Sequence, residues 1–239
     1  MIEEIPYGRQ DINADDIQAV IDVLQSEWLT QGPMVEKFER AVAEYCGASY
    51  AVAVNSATSA LHIACLAAGL GTDDILWTSP NTFVASANCG LYCGAQVDFV
   101  DIDSLTYNMS VEELERKLKY AQQKGKLPKI IIPVHFSGQS CEMQSIHELA
   151  KKYGCRVIED ASHAIGGSYQ ERKVGSCAYS DMTVFSFHPV KIVTTGEGGM
   201  VLTNNRELYE KLIIFRSHGI TRKTEHMQGE SDGACIISK

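Results

Sequence analysis

One lysine stands between a predicted strand and a glycine-rich segment in the second half of the chain. Residues 186–191 are Ser-Phe-His-Pro-Val-Lys, and residues 196–199 are Gly-Glu-Gly-Gly. Upstream, the apolar pair Val157-Ile158 is followed by Glu159 and Asp160, and His163 lies three residues further on. A lysine amine can hold an aldehyde as a Schiff base, and a buried carboxylate can keep a pyridine nitrogen protonated so that the ring accepts electrons. Lys191 and Asp160 therefore predict chemistry carried by pyridoxal 5'-phosphate (PLP).

Two other segments could hold the remaining parts of such a cofactor. Residues 55–60 (Asn-Ser-Ala-Thr-Ser-Ala) lie at a predicted junction of strand and helix, where free backbone N–H groups and the helix dipole favour an anion. Ser56 and Thr58 add hydroxyl donors at this junction. Phe83 follows a predicted strand, at the sheet edge where open α/β folds bind ligands, so its ring could stack on a pyridine face.

Each of these residues also has an ordinary structural explanation. Ser56 could simply cap a helix, and Phe83 could belong to the hydrophobic core. Asp160 could form a helix cap or a salt bridge, because a buried carboxylate needs a partner. His163 could be a structural histidine, and Lys191 could be a solvated surface lysine. The combination, in this order along the chain, favours a cofactor site over the separate explanations.

The hydrophobic pattern alternates between helices and strands. Asn13 is positioned to cap a helix that runs through Leu24, and a helix of small residues should open near residue 57. Further helices are predicted over residues 34–45, 82–92, 111–122, 143–153 and 206–216. Strands are predicted over residues 50–54, 74–78, 96–100, 129–133, 156–159, 181–186 and 199–202. This alternation predicts an α/β fold with a mostly parallel sheet covered on both faces.

The composition excludes several classes of protein. The chain has 239 residues, of which 45% are apolar and 21% charged, and its net charge of −9 argues against a nucleic-acid-binding surface. The most apolar windows, 57–70 and 84–94, are too interrupted to span a bilayer, and the N-terminus does not resemble a signal peptide, so we expect a cytoplasmic protein. No GxGxxG motif follows the first predicted strand, which disfavours a nicotinamide-binding domain.

The eight cysteines include no CxxC pair. Cys89 and Cys93 are four residues apart and could share a helix face as metal ligands, but no second ligand pair lies nearby. We therefore expect no metal site, and we interpret the cysteines as small, mostly buried residues of a reducing compartment.

Three ordered segments give the chain its resemblance to a known family. Residues 55–60, residues 159–164 (Glu-Asp-Ala-Ser-His-Ala) and residues 186–191 resemble the motifs of the DegT-type nucleotide-sugar aminotransferases, which are PLP enzymes of fold type I. The resemblance extends from residues 6–8 to residues 215–219, and within the family it is strongest to the transaminases of pseudaminic acid biosynthesis. It implies the large domain of a PLP-dependent transferase, with three α/β/α layers and a mostly parallel sheet.

The resemblance also implies roles for individual residues. Lys191 would bind the cofactor aldehyde and move a proton between substrate and cofactor. Asp160 would pair with the pyridinium nitrogen, and His163 would lie near the ring hydroxyl. Phe83 would stack on the ring, and residues 29–33 would lie on the substrate side of the pocket. The implied phosphate site comprises Ser56, Ala57, Thr58 and Ser186.

A reaction in two halves is implied by the same resemblance. L-glutamate would donate its amino group, and the C4 ketone of a UDP-linked 4-keto-6-deoxy-N-acetyl hexose would accept it, with Lys191 as acid and base in both halves. Full-length members would form homodimers. A dehydratase of the same superfamily is disfavoured, because those relatives generally carry histidine in place of the Schiff-base lysine.

The end of the chain departs from the family pattern. We expect residues 1–219 to form the PLP-binding large domain with N-terminal helices, and residues 220–239 to form an irregular tail. Family members continue into a smaller C-terminal domain, which includes an asparagine that reaches the phosphate of the neighbouring subunit, and no residue after 219 matches it. We therefore expect a truncated form, for which the alternative to an active enzyme is a catalytically silent fragment of the PLP fold.

Overall fold

The computed structural model describes residues 8–220. Seven helices lie in this range: α1 (Ala14–Leu24), α2 (Pro33–Cys46), α3 (Ala57–Ala67), α4 (Ala85–Tyr92), α5 (Val111–Lys124), α6 (Met143–Tyr153) and α7 (Arg206–Arg216). The strands are β1 (Tyr50–Val54), β2 (Ile75–Thr78), β3 (Gln96–Phe99), β4 (Ile130–Ile132), β5 (Arg156–Asp160), β6 (Ser168–Tyr169), β7 (Arg172–Lys173), β8 (Met182–Ser186) and β9 (Gly199–Thr203). Among the described residues, none of the helices combines the length and apolar character needed to cross a membrane.

Seven of these strands form one sheet in the order β1-β9-β8-β5-β4-β2-β3. β9 pairs antiparallel with both of its neighbours, and the remaining pairs are parallel. Six strands therefore run in one direction and only β9 runs against them. The prediction of a mostly parallel sheet is confirmed, and its parallel strands bring their carboxyl ends to one edge.

Helices cover both faces of the sheet because its central strands are apolar on both faces. Ile130 and Ile132 of β4 point into a core formed with α3, α4 and α7, whereas Ile131 points into a core formed with α5 and α6. A third core packs α2 against Phe185 of β8 and Met200 of β9. The molecule therefore has the predicted three layers, α/β/α.

Local signals account for most element boundaries. Asn13 accepts hydrogen bonds from the first-turn N–H groups of α1, and Gly47 ends α2 in the left-handed conformation that glycine adopts without strain. The short β6–β7 hairpin and a 3-10 turn at Phe136–Gly138 were not predicted from the sequence. The predicted tail over residues 220–239 lies, apart from Ile220, outside the described residues, and the division at residue 219 stays a prediction.

Candidate active site

The predicted site residues come together at the carboxyl edge of the parallel strands, where open α/β sheets bind ligands. Asp160 and Ser186 are the last residues of β5 and β8, which are neighbours in the sheet. Ser56 lies just after β1, and Phe83 lies after β2 at the start of α4. The sheet order therefore unites segments that are far apart in the sequence.

Hydrogen-bond donors surround the carboxylate of Asp160. Its side chain is 5% exposed. Ser86 Oγ donates to Oδ2 at 2.6 Å, and Ser162 donates to Oδ1 from its hydroxyl at 2.6 Å and from its backbone N–H at 3.2 Å. These three hydrogen bonds fix the orientation of the carboxylate at the sheet edge.

A chain of hydroxyl groups links the Asp160 carboxylate to the start of α4. The Ser86 hydroxyl donates its proton to Asp160. In the 2.7 Å hydrogen bond between Thr82 and Ser86, the Ser86 oxygen therefore accepts and the Thr82 hydroxyl donates. Phe83 lies between them in the sequence, and its side chain is 74% exposed. The explanation of Phe83 as a core residue is therefore wrong, and its ring is free to stack on a planar ligand.

The Lys191 amine contacts the ring of His163. Lys191 Nζ and His163 Nε2 are 2.6 Å apart. Burial lowers the pKa of Lys191 below its usual range, against the opposing attraction of Asp160. Burial, followed by the charge of Lys191, also lowers the pKa of His163. A neutral imidazole thus accepts a hydrogen bond from the amine, and the neutral form of the amine is more accessible than in an ordinary surface lysine.

Backbone N–H groups at the start of α3 form the predicted anion-binding turn, residues 55–60. The Ser56 hydroxyl accepts a hydrogen bond from Ser59 N–H, so Ser56 caps the helix. The N–H groups of Ala57 and Thr58 precede Ala60 N–H, which donates to the carbonyl oxygen of Ser56, and the positive end of the helix dipole lies at this end of α3. The structural explanation of Ser56 as a cap and the predicted anion site are therefore compatible.

Gly199 supports this turn through close backbone packing. A Cβ atom on Gly199 would lie 2.5 Å from the amide nitrogen of Ala57 and closer still to the carbonyl group of Ser56. Gly199 also pairs with Ser186 across β8 and β9, so the ends of both strands abut the start of α3. Ser186 is 6% exposed, and its hydroxyl accepts a long hydrogen bond of 3.5 Å from His188 N–H.

A second buried pair lies beside Asp160. His135 Nε2 and Glu159 Oε2 are 2.8 Å apart, and Cys141 N–H donates to His135 Nδ1. Since Nδ1 accepts, Nε2 carries the proton and donates it to the carboxylate. Burial would raise the pKa of Glu159, but the hydrogen bonds from His135, Ser180 and Thr183 outweigh it and lower the pKa. Glu159 therefore anchors β5 to its neighbours while Asp160 faces the site.

Ser86, Ser162 and Gly138 carried no assigned role in the sequence-based prediction. Ser86 and Ser162 bind Asp160, and Gly199, which belongs to the glycine-rich segment noted in the sequence, packs on the start of α3. Gly138 has φ +89°, and a Cβ atom there would lie 2.6 Å from the carbonyl oxygen of His163. The glycines were visible in the sequence, but their partners are set by the sheet order. His188, in the segment that precedes Lys191, is exposed, and its Nε2 lies 3.8 Å from Glu197 Oε1.

The donor set fits PLP. It offers an amine with a lowered pKa, a buried carboxyl group fixed by three hydrogen bonds, an exposed aromatic ring and a helix start on which a glycine packs closely. Within residues 8–220, no cluster of three or more His, Cys, Asp or Glu side chains has the arrangement of a metal site. A cavity of about 790 Å³ lies elsewhere, between α2 and α7, and is lined by Glu36, Arg40 and Tyr209 among others. None of the predicted site residues lines it.

The chain is similar to known proteins over most of its length. The sequence profile of the DegT/DnrJ/EryC1/StrS aminotransferase family matches residues 10–235. The chain is 47% identical over 220 residues to a Campylobacter jejuni protein named UDP-4-amino-4,6-dideoxy-N-acetyl-beta-L-altrosamine transaminase. That match covers 92% of this chain and 56% of the Campylobacter protein. The chain thus spans little more than half the length of the curated relatives that it matches.

Two solved structures show the same fold. Helicobacter pylori PseC, described as an aminotransferase involved in the biosynthesis of pseudoaminic acid, has a TM-score of 0.86 and 34% identity, with 99% of this chain and 60% of PseC covered. The PLP form of the Streptococcus pneumoniae putative sugar aminotransferase Spr1654 has a TM-score of 0.84 and 28% identity, with 99% of this chain and 64% of that chain covered. The predicted fold class, a PLP-dependent transferase domain, is confirmed.

Proposed function

Because the chain belongs to the DegT/DnrJ/EryC1/StrS aminotransferase family, we propose that it is the cofactor-binding part of a nucleotide-sugar aminotransferase. The family prediction and its cofactor, PLP, are confirmed at the level of the family. We propose that the donor is L-glutamate and that the acceptor is the C4 ketone of a UDP-linked 4-keto-6-deoxy-N-acetyl hexose. The observation that carries the proposal is the contact of Lys191 with His163 beside the buried carboxylate of Asp160.

Three parts of the site would hold the cofactor. The N–H groups of Ala57 and Thr58 would bind the phosphate, with the hydroxyl groups of Ser56 and Ser186 alongside. Asp160 would face the pyridine nitrogen, and Phe83 would cover one face of the ring. When bound, PLP supplies an aldehyde that captures amines and a ring that accepts electrons. The Asp160 side chain, next to the ring nitrogen, would favour the electron-accepting form of that ring.

Lys191 would move the protons. Its lowered pKa increases the neutral fraction of the amine near neutral pH, and a neutral amine can attack an aldehyde or accept a proton. His163 Nε2 holds the amine in position from 2.6 Å away. The attraction of Asp160 limits the fall in the pKa, so the amine can still return a proton as an acid.

The first test is an absorbance spectrum of the purified chain with PLP, before and after L-glutamate. A visible band that disappears with glutamate, and that is absent in Lys191→Ala, supports the donor half-reaction. Lys151→Ala is the matched control, because Lys151 is an exposed lysine of α6 away from the site. The absence of any protein-bound band in the wild-type chain would sink the proposal for this chain and leave a catalytically silent fragment of the fold.

The acceptor requires a separate test. After the protein has been loaded with amino groups by glutamate, a UDP-linked 4-keto-6-deoxy-N-acetyl hexose should restore the original band, and mass spectrometry should detect the aminated sugar. The corresponding GDP-linked keto sugar serves as the control. Equal turnover of the two nucleotides would contradict specificity for UDP without affecting the donor half-reaction.

Membership in this aminotransferase family also suggests how the protein assembles and where it is located. We propose that residues 1–219 form the PLP-binding domain and that the protein functions as a homodimer in the cytoplasm. The single sheet shared by the three cores between residues 8 and 220 supports one domain over this range. Sedimentation at several protein concentrations tests the dimer, and a mass of one chain throughout would contradict it.

A further inference from the structure

The turn that follows β4, residues 136–140, packs against the loop that follows β5. A Cβ atom on Gly138 of the turn would lie 2.6 Å from the carbonyl oxygen of His163, so no side-chain atom fits between the two backbones. A Cβ atom on Gly167 would lie 3.6 Å from the carbonyl oxygen of Gly138. The loop after β5 carries His163, whose ring contacts Lys191. The position of the turn therefore bears on the position of this contact.

The side chain of Asn108 binds the turn from the segment before α5. Its Nδ2 donates hydrogen bonds to the carbonyl oxygens of Gln139 and Ser140, both at 3.1 Å, and its Oδ1 accepts one from Phe136 N–H at 2.9 Å. Only an amide side chain offers two donors and an acceptor in this arrangement. Asn108 is 4% exposed, so water does not compete for these contacts. Its three hydrogen bonds fix both ends of the turn.

The backbone of the turn needs support of this kind. Ser137 has φ +52° and ψ +23°, a left-handed conformation that is costly for a residue with a Cβ atom. Gly138, which follows, has φ +89°. Two successive residues with positive φ do not continue a helix or a strand, so contacts from elsewhere in the chain must hold them. Asn108 supplies such contacts from 28 residues away in the sequence.

We propose that Asn108 is a positioning residue for the contact between His163 and Lys191. It holds the turn, the backbone of Gly138 supports the carbonyl group of His163, and His163 Nε2 meets the Lys191 amine at 2.6 Å. This inference rests on the proposed function, because the cofactor site is what gives the contact a chemical use.

The ionisation of His163 reports whether the contact is intact. Burial, followed by the charge of Lys191, lowers the pKa of His163, while the charge of Asp160 acts to raise it. If the loop after β5 shifts, the ring gains water and separates from Lys191. The pKa should then rise toward the ordinary value of 6.5. A loss of stability that left the loop in place would not change it.

Two variants disturb the turn without changing any charge. Asn108→Leu keeps a side chain of similar size and removes all three hydrogen bonds. Gly138→Ala leaves those bonds in place and sets a Cβ atom against the carbonyl oxygen of His163. Gly138→Ala therefore tests the same link if the loss of three buried hydrogen bonds prevents Asn108→Leu from folding.

The chain offers a matched control for each variant. Asn204 Nδ2 also donates to two carbonyl oxygens, and its Oδ1 accepts a hydrogen bond from Ser49 N–H. Asn204 follows β9, at the end of that strand opposite Gly199 and the candidate site. Asn204→Leu thus removes the same kinds of contact at a distance from the site. Gly154→Ala introduces alanine at φ +73°, where nothing lies within 4 Å of a Cβ atom.

The test is an NMR titration of the His163 ring across pH in the whole chain, with the resonance assigned by its loss in His163→Gln. We expect a midpoint below 6.5 in the wild type and in both controls. In Asn108→Leu and Gly138→Ala the midpoint should be higher and closer to 6.5. Denaturant unfolding of the same proteins measures the loss of stability separately, and Asn204→Leu should lose stability without a change in the midpoint.

Three results would overturn the proposal. The wild-type midpoint could lie at or above 6.5, the midpoint could stay unchanged in a folded Asn108→Leu or Gly138→Ala, or it could rise equally in Asn204→Leu. The titration needs neither PLP nor substrate. A wild-type chain that binds no PLP would therefore contradict the proposed function and leave this result as it stands.

Discussion

At the level of single residues, the carboxylate of Asp160 is the centre of the hydrogen-bond network of the site. Its partners between residues 8 and 220 are hydroxyl and amide donors, and none of its contacts in that range is a salt bridge. The charge of Asp160 acts to raise the pKa values of Lys191 and His163, against the net lowering by burial, although neither side chain forms a hydrogen bond with it. Asp160 can therefore pair with a cation that a ligand brings, while the two serines hold its carboxylate in place.

Substitution of Ser86 tests this arrangement. Ser86→Ala removes one of the two short hydrogen bonds to Asp160, and a hydrogen bond to a charged group contributes about 1.5–3 kcal/mol. We expect the affinity for PLP to fall by about tenfold, as measured by titration of the absorbance band. Ser104→Ala, at an exposed serine, is the control and should bind as the wild type does. Unchanged affinity in Ser86→Ala would remove Ser86 from the site.

The ionisation of Lys191 gives a prediction with a definite sign. Its amine should be acylated by acetic anhydride with a midpoint below the ordinary lysine value of 10.5, because burial lowers the pKa. Asp160→Asn removes the attraction that opposes this shift, so the midpoint should fall further. Quantitative mass spectrometry of the Lys191 peptide at a series of pH values measures both midpoints. A higher midpoint in Asp160→Asn would contradict the assigned electrostatics.

At the level of elements, the backbones of β8, β9 and α3 pack so closely beside the site that they leave no room for an added side-chain atom at Gly199. Gly199 begins β9, pairs with Ser186 at the end of β8 and packs on the peptide that opens α3. The atoms next to Gly199 belong to the backbone of Ser56 and Ala57, which cannot move aside as the end of a flexible side chain could. Position 199 therefore requires a glycine, which has no Cβ atom. The anion-binding turn is thus built by three elements together.

Gly199→Ala should disturb both stability and cofactor binding. The new Cβ would overlap the Ser56–Ala57 peptide, and forcing added atoms into a packed site costs about 1–3 kcal/mol. Denaturant unfolding measures the loss of stability, and PLP titration measures the loss of affinity. Gly71→Ala is the control, because nothing lies within 4 Å of a Cβ at that position. Equal behaviour of the two variants would show that the turn can adjust.

Glu159 ties β5 to the neighbouring segments and should make stability depend on pH. Its pKa is lowered in the folded protein, so its contribution is complete above the ordinary value of 4.5 and is lost as the pH falls below that value. Glu159→Gln should therefore lose less free energy of unfolding on acidification than the wild type. Denaturant unfolding at neutral and acidic pH checks this, with exposed Glu148→Gln as the control. An identical acid dependence in wild type and Glu159→Gln would contradict the assignment.

At the level of the whole molecule, one sheet carries all three cores and the entire candidate site. The anion-binding turn belongs to the core with α3, and Ser186 follows Phe185, which belongs to the core with α2. A ligand that contacts both regions binds only when the sheet is assembled. Binding should therefore stabilise the molecule as a unit.

Added PLP should raise the thermal midpoint of unfolding. A ligand that binds only the folded state at a hundred times its Kd contributes about 2.7 kcal/mol. In Lys191→Ala the same shift should require a higher PLP concentration, because the amine is lost while the phosphate and ring contacts are retained. Differential scanning fluorimetry across a PLP series measures both curves. Coincident curves would show that Lys191 does not contribute to binding.

The element order and the main functional residues were predictable from the sequence. Periodicity located the bounds of α6 and α7 and the strands that precede Asp160 and Lys191, because local patterning depends on near neighbours. The resemblance to the family added the roles of those residues. The 3-10 turn at Phe136–Gly138 and the β6–β7 hairpin were missed, since short irregular segments carry little periodic signal.

The sequence by itself determined that this protein has an α/β fold and that Lys191, Asp160 and the start of α3 are its candidate cofactor site. Only the tertiary structure decided that Ser86 binds Asp160, 74 residues away, that Gly199 packs on the Ser56–Ala57 peptide and that Lys191 contacts His163. The reason is that these contacts depend on which strands are neighbours in the sheet. Strand order is set by the packing of the whole core and leaves no local pattern in the chain.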